Sequence, residues 1–304
     1  GDDQGNAIKY SNGYLYVTGY FSDTAWFENT ILTSYGATDV FTAKYNNDGS
    51  LIWVKKGGGS GQDYGSSIDV DYIGNVYIGG TYVSAMAMDT FHLNATNNDN
   101  ESFFAKYDDI GNLSWAQTSQ GNSANQITGL AFDNHGSIFV TGYFGGTYTI
   151  GNITVTSNTP SKDIFLAKID GDGNIRWLKS AGGITDDCSN AVCSDKDGNP
   201  SITGYFGQTA YFDNNAITYL DYNDIFIAHY DSSGNNLWAK AGLGTQLDVG
   251  SSIASDDLGN IFVTGMFENQ VTFDWKVRNG DKRDVFIVSY KRDGTIRWLD
   301  GGGG

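Results

Sequence analysis

Asp224-Ile-Phe-Ile-Ala-His-Tyr-Asp-Ser-Ser-Gly-Asn-Asn-Leu-Trp238 is the stretch whose reading decides the fold. It has four counterparts, beginning at Asp39, Glu101, Asp163 and Asp284. In every copy a glycine follows the acid by 10 residues (Gly49, Gly111, Gly173, Gly234, Gly294) and a tryptophan by 14 (Trp53, Trp115, Trp177, Trp238, Trp298). Fixed spacing under drifting sequence means one supersecondary unit used five times. Within the stretch, Phe226, Ala228 and Tyr230 alternate with Ile225, Ile227 and His229, the period of a strand with both faces largely apolar. Asp231-Ser-Ser-Gly234-Asn supplies a turn, and Leu237-Trp238-Ala239 returns, so the stretch reads as a hairpin.

Working outward, the repeats fall at 1–59, 60–121, 122–183, 184–244 and 245–304. Each begins with a short run such as Gly250–Asp256, turns, and continues through a second run such as Ile261–Phe267. The second run holds a glycine at fixed register: Gly19, Gly80, Gly142, Gly204 and Gly265. Glycine inside a strand marks a bulge or close packing, and these read as sockets for neighbouring groups. A segment of about 17 to 20 residues then precedes the closing hairpin, with alternation at Ala25-Trp-Phe27, Ala210-Tyr-Phe212 and Val271-Thr-Phe273 that predicts a small extra hairpin.

Four strands apolar on both faces cannot be buried by one repeat. Face-to-face stacking of twisted sheets closes radially, so the predicted fold is all-β. It is a five-bladed β-propeller with four antiparallel strands per blade plus an extra hairpin between strands two and three, one domain over 1–304.

Composition agrees. In 304 residues there are 41 Gly, 2 Pro and 14% aromatics, which suits short strands joined by tight turns. The net charge of −17 rests almost wholly on Asp, since Glu28, Glu101 and Glu268 are the only glutamates. Such a surface repels nucleic acid and anionic lipid. No apolar run approaches the roughly 18 residues of a membrane helix, so direct membrane insertion is not expected. The chain begins at Gly1 without a charged-then-apolar leader, and any signal peptide is expected to have been removed or to lie outside this sequence. Cys188 and Cys193 are five residues apart on one predicted strand. That puts them roughly 15 Å apart, too far for a disulfide. They read as small buried hydrophobes.

Gly65–Tyr82 and Asp163–Trp177 carry the pattern Gly-x-x-Ile-x-x-Asp-x-x-Gly-Asn-x-Tyr-Val-Thr-Gly-Tyr-Phe followed by Asp-Val-Phe-Ala-Lys-Tyr-Asp-x-x-Gly-Asn-Leu-x-Trp. This resembles the bacterial and archaeal β-propeller repeats called SBBP repeats, in all five copies. The resemblance implies a propeller within a large secreted or cell-surface protein, and implies no activity. Repeat 2 departs at Ile78-Gly-Gly-Thr, repeat 4 at Pro200, and the first turn of repeat 1, near Asn12-Gly13, is one residue shorter. The repeat phase is similar to that of NHL-type propellers, with the innermost strand first. On that phase no terminal strand completes a distant blade, and closure depends on blade 5 packing on blade 1.

Site candidates follow from the same frame. Asp3, Asp63, Asn125, Asp187 and Asp248 stand just before the first strands, at intervals of 60, 62, 62 and 61 residues. With the first strand innermost they form a ring near one mouth of the channel. Such a ring could hold Ca²⁺, water or sugar hydroxyls, or it could cap strand starts. Asp39, Glu101, Asp163, Asp224 and Asp284 form a second recurring set, read as structural. Asp170, Asp172 and Asn174 resemble part of a calcium loop, although turn chemistry also explains them. No cofactor other than Ca²⁺ is expected. His92, His135 and His229 fall at unrelated repeat positions, so no catalytic triad is visible. The aromatics Trp26, Tyr35, Tyr148, Tyr211, Tyr219, Tyr222 and Trp275 vary between copies and suit a glycan or a protein surface. Trp26, Tyr148, Tyr211 and Trp275 are the expected ligand contacts. The function expected is an extracellular or cell-surface binding or adhesion module, monomeric within a larger protein. A passive spacer is the alternative and a glycoside hydrolase the third reading.

Overall fold

A computed structural model describes residues 1–95, 100–158 and 161–303. The described residues form strands and no helix. Five four-stranded antiparallel units follow one another, as the repeat spacing requires. The first is Gln4–Ser11, Tyr14–Phe21, Asp39–Asn46 and Leu51–Gly58. The second is Tyr64–Val70, Val76–Val83, Asn100–Tyr107 and Leu113–Gly121. The third is Asn125–Phe132, Ser137–Gly145, Lys162–Asp170 and Ile175–Ala181. The fourth is Cys188–Ser194, Pro200–Phe212, Asn215–Tyr230 and Asn236–Gly244, and the fifth Val249–Ser255, Ile261–Phe273, Lys276–Tyr290 and Ile296–Gly302. First strands of consecutive units pack side by side. All five also border one cavity, so the units are arranged about a common axis with the first strand innermost. The arrangement is propeller-like.

The second-strand glycines are explained by a bulge in the first strand. Each first strand slips register once, for example between Gly65 and Ser67 and between Ser189 and Ala191. The bulge pushes a backbone carbonyl against the glycine. A Cβ on Gly142 would lie 1.8 Å from the Gln126 oxygen, and one on Gly204 1.9 Å from that of Cys188. The bulged residue instead reaches the next unit. Asn6 donates to the Gly65 carbonyl at 2.8 Å, Ser66 to Ile127 at 2.6 Å, Thr128 to Ser189 at 2.7 Å and Asn190 to Gly250 at 2.9 Å.

The predicted extra hairpins are present and do more than cover a loop. The arm Ala85–Met88 of the hairpin from the second repeat pairs with the outer strand of the first unit, Met88 opposite Gly57. Thr147–Ile150 pairs with the outer strand of the second unit, and Val271–Phe273 with that of the fourth. Gly182 and Tyr211 exchange two backbone hydrogen bonds between the third unit and the fourth repeat's hairpin. The hairpins of the second, third and fifth repeats therefore extend the sheet of the preceding unit, and that of the fourth is bridged to it, so each of these four clasps the preceding unit to its own.

The core consists of seams between units rather than of one centre. Tyr16, Val40 and Trp53 of the first unit pack with Ile78, Phe103 and Tyr107 of the second. Three further seams repeat this arrangement. Large aromatics such as Phe103, Phe165 and Phe226 are wholly buried there, each contributing roughly 1.5–3 kcal/mol of transfer free energy. The recurring tryptophans act in these seams as expected. Trp53, Trp115, Trp177 and Trp238 each donate an indole hydrogen bond to a turn carbonyl of the next unit.

The expected packing of the fifth unit on the first is not formed. The inner strand of the fifth unit has no packing on Gln4–Ser11 comparable with that between consecutive units, among the described residues. The hairpin Thr24–Phe27/Thr30–Thr33 is a separate two-stranded sheet. Cys188 and Cys193 are free thiols on one strand, as their spacing predicts.

Candidate functional site

The acids that precede the inner strands are placed by the linkers between units. Asp63 accepts hydrogen bonds from the Gly59 amide at 2.6 Å and the Val83 amide at 3.2 Å. Asp187 accepts from Gly183 at 2.6 Å and Gly207 at 3.0 Å. Asp248 takes the Glu268 amide at 2.9 Å through one oxygen, and its other oxygen is buried without a partner. Asn125 accepts the Ser102 amide at 2.7 Å and donates to Glu101 at 2.9 Å. All four are buried, whereas Asp3 is exposed and accepts only from the Ser22 amide, at 3.1 Å. Asp63 and Asp187 thereby tie the linker after one unit to the second strand of the next, the strand-start capping role, while Asn125 engages the third strand of the preceding unit. Desolvation, partly offset by the amide donors, pushes the carboxyls of Asp63, Asp187 and Asp248 up to about 7.

The second acidic set is likewise turned inward. Asp39 accepts from the Tyr35 amide at 2.9 Å, and Asp224 from Gly244 at 2.9 Å. Asp163 takes Asn158, with burial raising its carboxyl to about 6. The glycine ending the outer strand leaves room for this acid: a Cβ on Gly58 would stand 2.2 Å from the Asp39 carboxyl carbon.

The calcium-like turn spends its oxygens locally. Asp170 Oδ1 accepts the amides of Asp172 at 3.0 Å and Asn174 at 2.8 Å, the Asn174 side chain returns to both oxygens, and Arg176 pairs with Oδ2 at 3.1 Å. Asp71, Asp108, Asp195, Asp231 and Asp256 cap their turns in the same way, which accounts for much of the aspartate content. Among the described residues no group of three or more His, Cys, Asp or Glu side chains converges as a metal site would require.

The candidate aromatics divide by register. In the first arm of each hairpin, 24–27, 85–88, 147–150, 209–212 and 270–273, the second and fourth positions point inward and the first and third outward. Tyr148 takes an inward position and is buried, 4.5 Å from the Phe165 ring, where no external ligand can stack on it. Trp26 and Tyr211 take the outward position, and Trp275 the hairpin tip. They are 71%, 56% and 70% exposed. Tyr211 and Trp275 belong to hairpins joined to the outer strand of the preceding unit and so stand on the outer rim, while Trp26 is on the separate hairpin 24–33. The structure does not bring them together with the inner-strand acids.

The axis offers a different concavity. A cavity of about 350 Å³ is lined by residues of all five inner strands, including Lys9, Asp69, Phe132, Cys193 and Ser255. The Lys9 ammonium pairs with Asp69 at 2.7 Å, and Asp69 also accepts the amides of Val70 and Phe132, each at 2.8 Å. The sequence reading missed this pair. Its signal was present, since Lys9 and Asp69 occupy the same position in consecutive repeats, 60 residues apart. Cys193 on the wall is half-buried, and desolvation pushes its thiol up to about 12. Ser201 and His229 also make a contact unmarked in the sequence, Oγ to Nδ1 at 2.8 Å. Both are buried, the His229 ring packs on Trp238 with centroids 5.5 Å apart, and its Nε2 has no hydrogen-bond partner among the described residues.

No family profile matches the chain. It is 25% identical over 358 residues to an uncharacterized WD repeat-containing protein of Acanthamoeba polyphaga mimivirus, covering 94% of this chain. That supports a propeller-like repeat. The chain spans only 25% of that relative's length. A crystal structure of a protein of unknown function from Bacteroides caccae aligns over 94% of this chain and 93% of its own, with 9% identity and a TM-score of 0.43, too loose a likeness to argue from.

Proposed function

We propose that the five units are blades of an SBBP-type β-propeller that serves as an extracellular or cell-surface binding module. Its recognition surface is the outer rim built by the clasping hairpins, and its ligand a glycan. The observation that carries this reading is the exposure of Trp26, Tyr211 and Trp275 on hairpins whose alternate apolar residues Ala25, Phe212 and Phe273 are buried, with Ile31 and Val277 exposed beside them. Flat aromatic faces beside Asp and Asn side chains, as at Asp274-Trp275, stack on sugar C–H faces while the polar groups meet hydroxyls. The acids before the inner strands play no part in binding on this reading, because backbone amides already engage them.

A glycan array and a pull-down from surface extract, each run with wild type and with Trp26→Ala, Tyr211→Ala and Trp275→Ala combined, test the proposal. Array binding that the triple variant loses supports it. Capture of a protein with a silent array moves the ligand to a protein. Silence in both leaves the spacer reading, which the structural commitment of the recurring acids favours.

A further inference from the structure

The first and fifth units each expose half of an interface that the chain forms four times internally. On the first unit, Ile8 is 66% exposed, whereas its counterparts Ile68, Leu130, Val192 and Ile253 are 6–8% exposed. On the fifth, Val285 is 57% and Ile287 40% exposed, against at most 2% for Val40, Ile164, Ile225, Phe104, Leu166 and Ile227 at the same positions. An apolar groove of about 190 Å³ between Ile253, Phe262 and Ile287 runs over this open face.

The polar parts of the seam are halved in the same places. Trp238 packs on Gly294 and donates to the Arg292 carbonyl, but Trp298 has only a ring contact with Phe262 among the described residues. The glycine that should receive a tryptophan on the first unit, Gly49, has nothing within 4 Å of a Cβ, whereas Gly111, Gly173 and Gly234 meet Trp53, Trp115 and Trp177. Ser251, the counterpart of Asn6, Ser66, Thr128 and Asn190, is exposed. Among the described residues the edge at Gly302 has no hairpin on it, and the hairpin 24–33 joins no edge.

We propose that both open faces bind further copies of this same repeat, so that the chain is an arc of a propeller with more than five blades. The four internal seams define the occupant residue by residue. On the first unit it brings a tryptophan over Gly49 and a short polar side chain to the Gly5 carbonyl. On the fifth it brings a glycine turn beneath Trp298 and a hairpin arm for the edge at Gly302. The fifth unit does not serve as the occupant for the first, since both halves stay open in the same molecule. The inference stands on packing and is independent of any glycan.

Hydrogen exchange read by mass spectrometry tests it, on the chain as it stands and on one extended after residue 303 by its own internal repeats 122–244. In the original chain, amides of 4–11 and 296–302 are expected to exchange about ten-fold or more faster than those of 64–70 and 236–244. In the extended chain 296–302 gains that protection, and Trp298→Ala becomes as destabilising as Trp238→Ala. Protection of both strands in the original monomer, showing a ring closed at five, overturns the proposal. So does protection that appears only with dimerisation by light scattering, or an extended chain that folds with 296–302 still open. If the extended chain fails to fold, the exchange rates of the original chain decide.

Discussion

The indole nitrogen of Trp53 donates to the carbonyl of Asp109, 3.2 Å away and 56 residues along the chain. This hydrogen bond crosses from the outer strand of one unit to the last turn of the next, and the ring lies on Gly111 in that turn. The same contact recurs at Trp115, Trp177 and Trp238, so each seam is fastened at its rim by one side chain.

Replacing such a tryptophan should therefore cost far more inside the array than at its open end. Trp115→Phe loses the hydrogen bond to Gly171 and part of the contact on Gly173, and is expected to lower stability by about 1–3 kcal/mol. Trp298→Phe should change it by less than about 0.5 kcal/mol. Urea unfolding midpoints at constant m-value distinguish the two.

Two glycines beside the first-strand bulge, Gly142 on a second strand and Gly5 on a first, make a sharper contrast. Gly142→Ala drives a methyl into the Gln126 carbonyl, and a displaced bulge is expected to cost about 3 kcal/mol or more. At Gly5 the nearest atom to a new Cβ is the Val17 side chain at 3.6 Å, so Gly5→Ala should stay within about 1 kcal/mol of wild type. Equal Tm losses for the two variants would refute this account.

Stability should fall as pH rises from about 4 to about 7. Burial raises the carboxyls of Asp63, Asp187 and Asp248 from 3.8 to about 7, so in that window the folded state binds more protons than the unfolded one. Their contribution is complete below about pH 4 and gone above about pH 7. Asp248→Asn keeps the acceptor for the Glu268 amide and places a neutral group at the unpartnered oxygen. It should raise Tm at neutral pH and reduce the slope of Tm against pH. A slope unchanged by the substitution would place the titration elsewhere.

The turn aspartates should behave as caps and not as cation ligands. Asp195 accepts the amides of Asp197 and Asn199, each at 2.9 Å, and is buried. Asp195→Ala should cost about 2–3 kcal/mol by leaving those donors unsatisfied. Adding Ca²⁺ or chelator should leave the wild-type Tm where it is, and a calcium-dependent rise lost in Asp170→Asn would contradict the turn geometry.

The clasp predicts a destabilisation felt in the preceding unit. Met88 is buried opposite Gly57, and Met88→Asp puts a charge in that seam. About 3 kcal/mol or more should be lost. Amides of Leu51–Gly58, which belong to the previous repeat, should show the earliest rise in hydrogen exchange.

The strand repeat was legible because side-chain period and turn chemistry are local. Asp224 to Gly234 to Trp238 specifies a strand, a tight turn and an outer strand without help from the rest of the chain. The extra hairpin was legible for the same reason, but its partner was not. Gly57 opposite Met88 is a backbone pairing between repeats, and nothing in either residue type marks it. The acids at 3, 63, 125, 187 and 248 were correctly seen to recur, but recurrence does not reveal which way a side chain turns. Asp63 and Asp187 face amides of the linker and the second strand, a direction set by the turn between units. The aromatic candidates failed or held according to one-residue register: Tyr148 and Tyr211 differ by a single step along the hairpin arm, and only one of them reaches solvent.

Because the hairpins of the second to fifth repeats are hydrogen-bonded to the preceding unit, tension along the chain would load these four joints before any unit could peel away. Stretched one molecule at a time, the array should rip in steps that release roughly a repeat's contour length, each step loosening the neighbour that shared its hairpin.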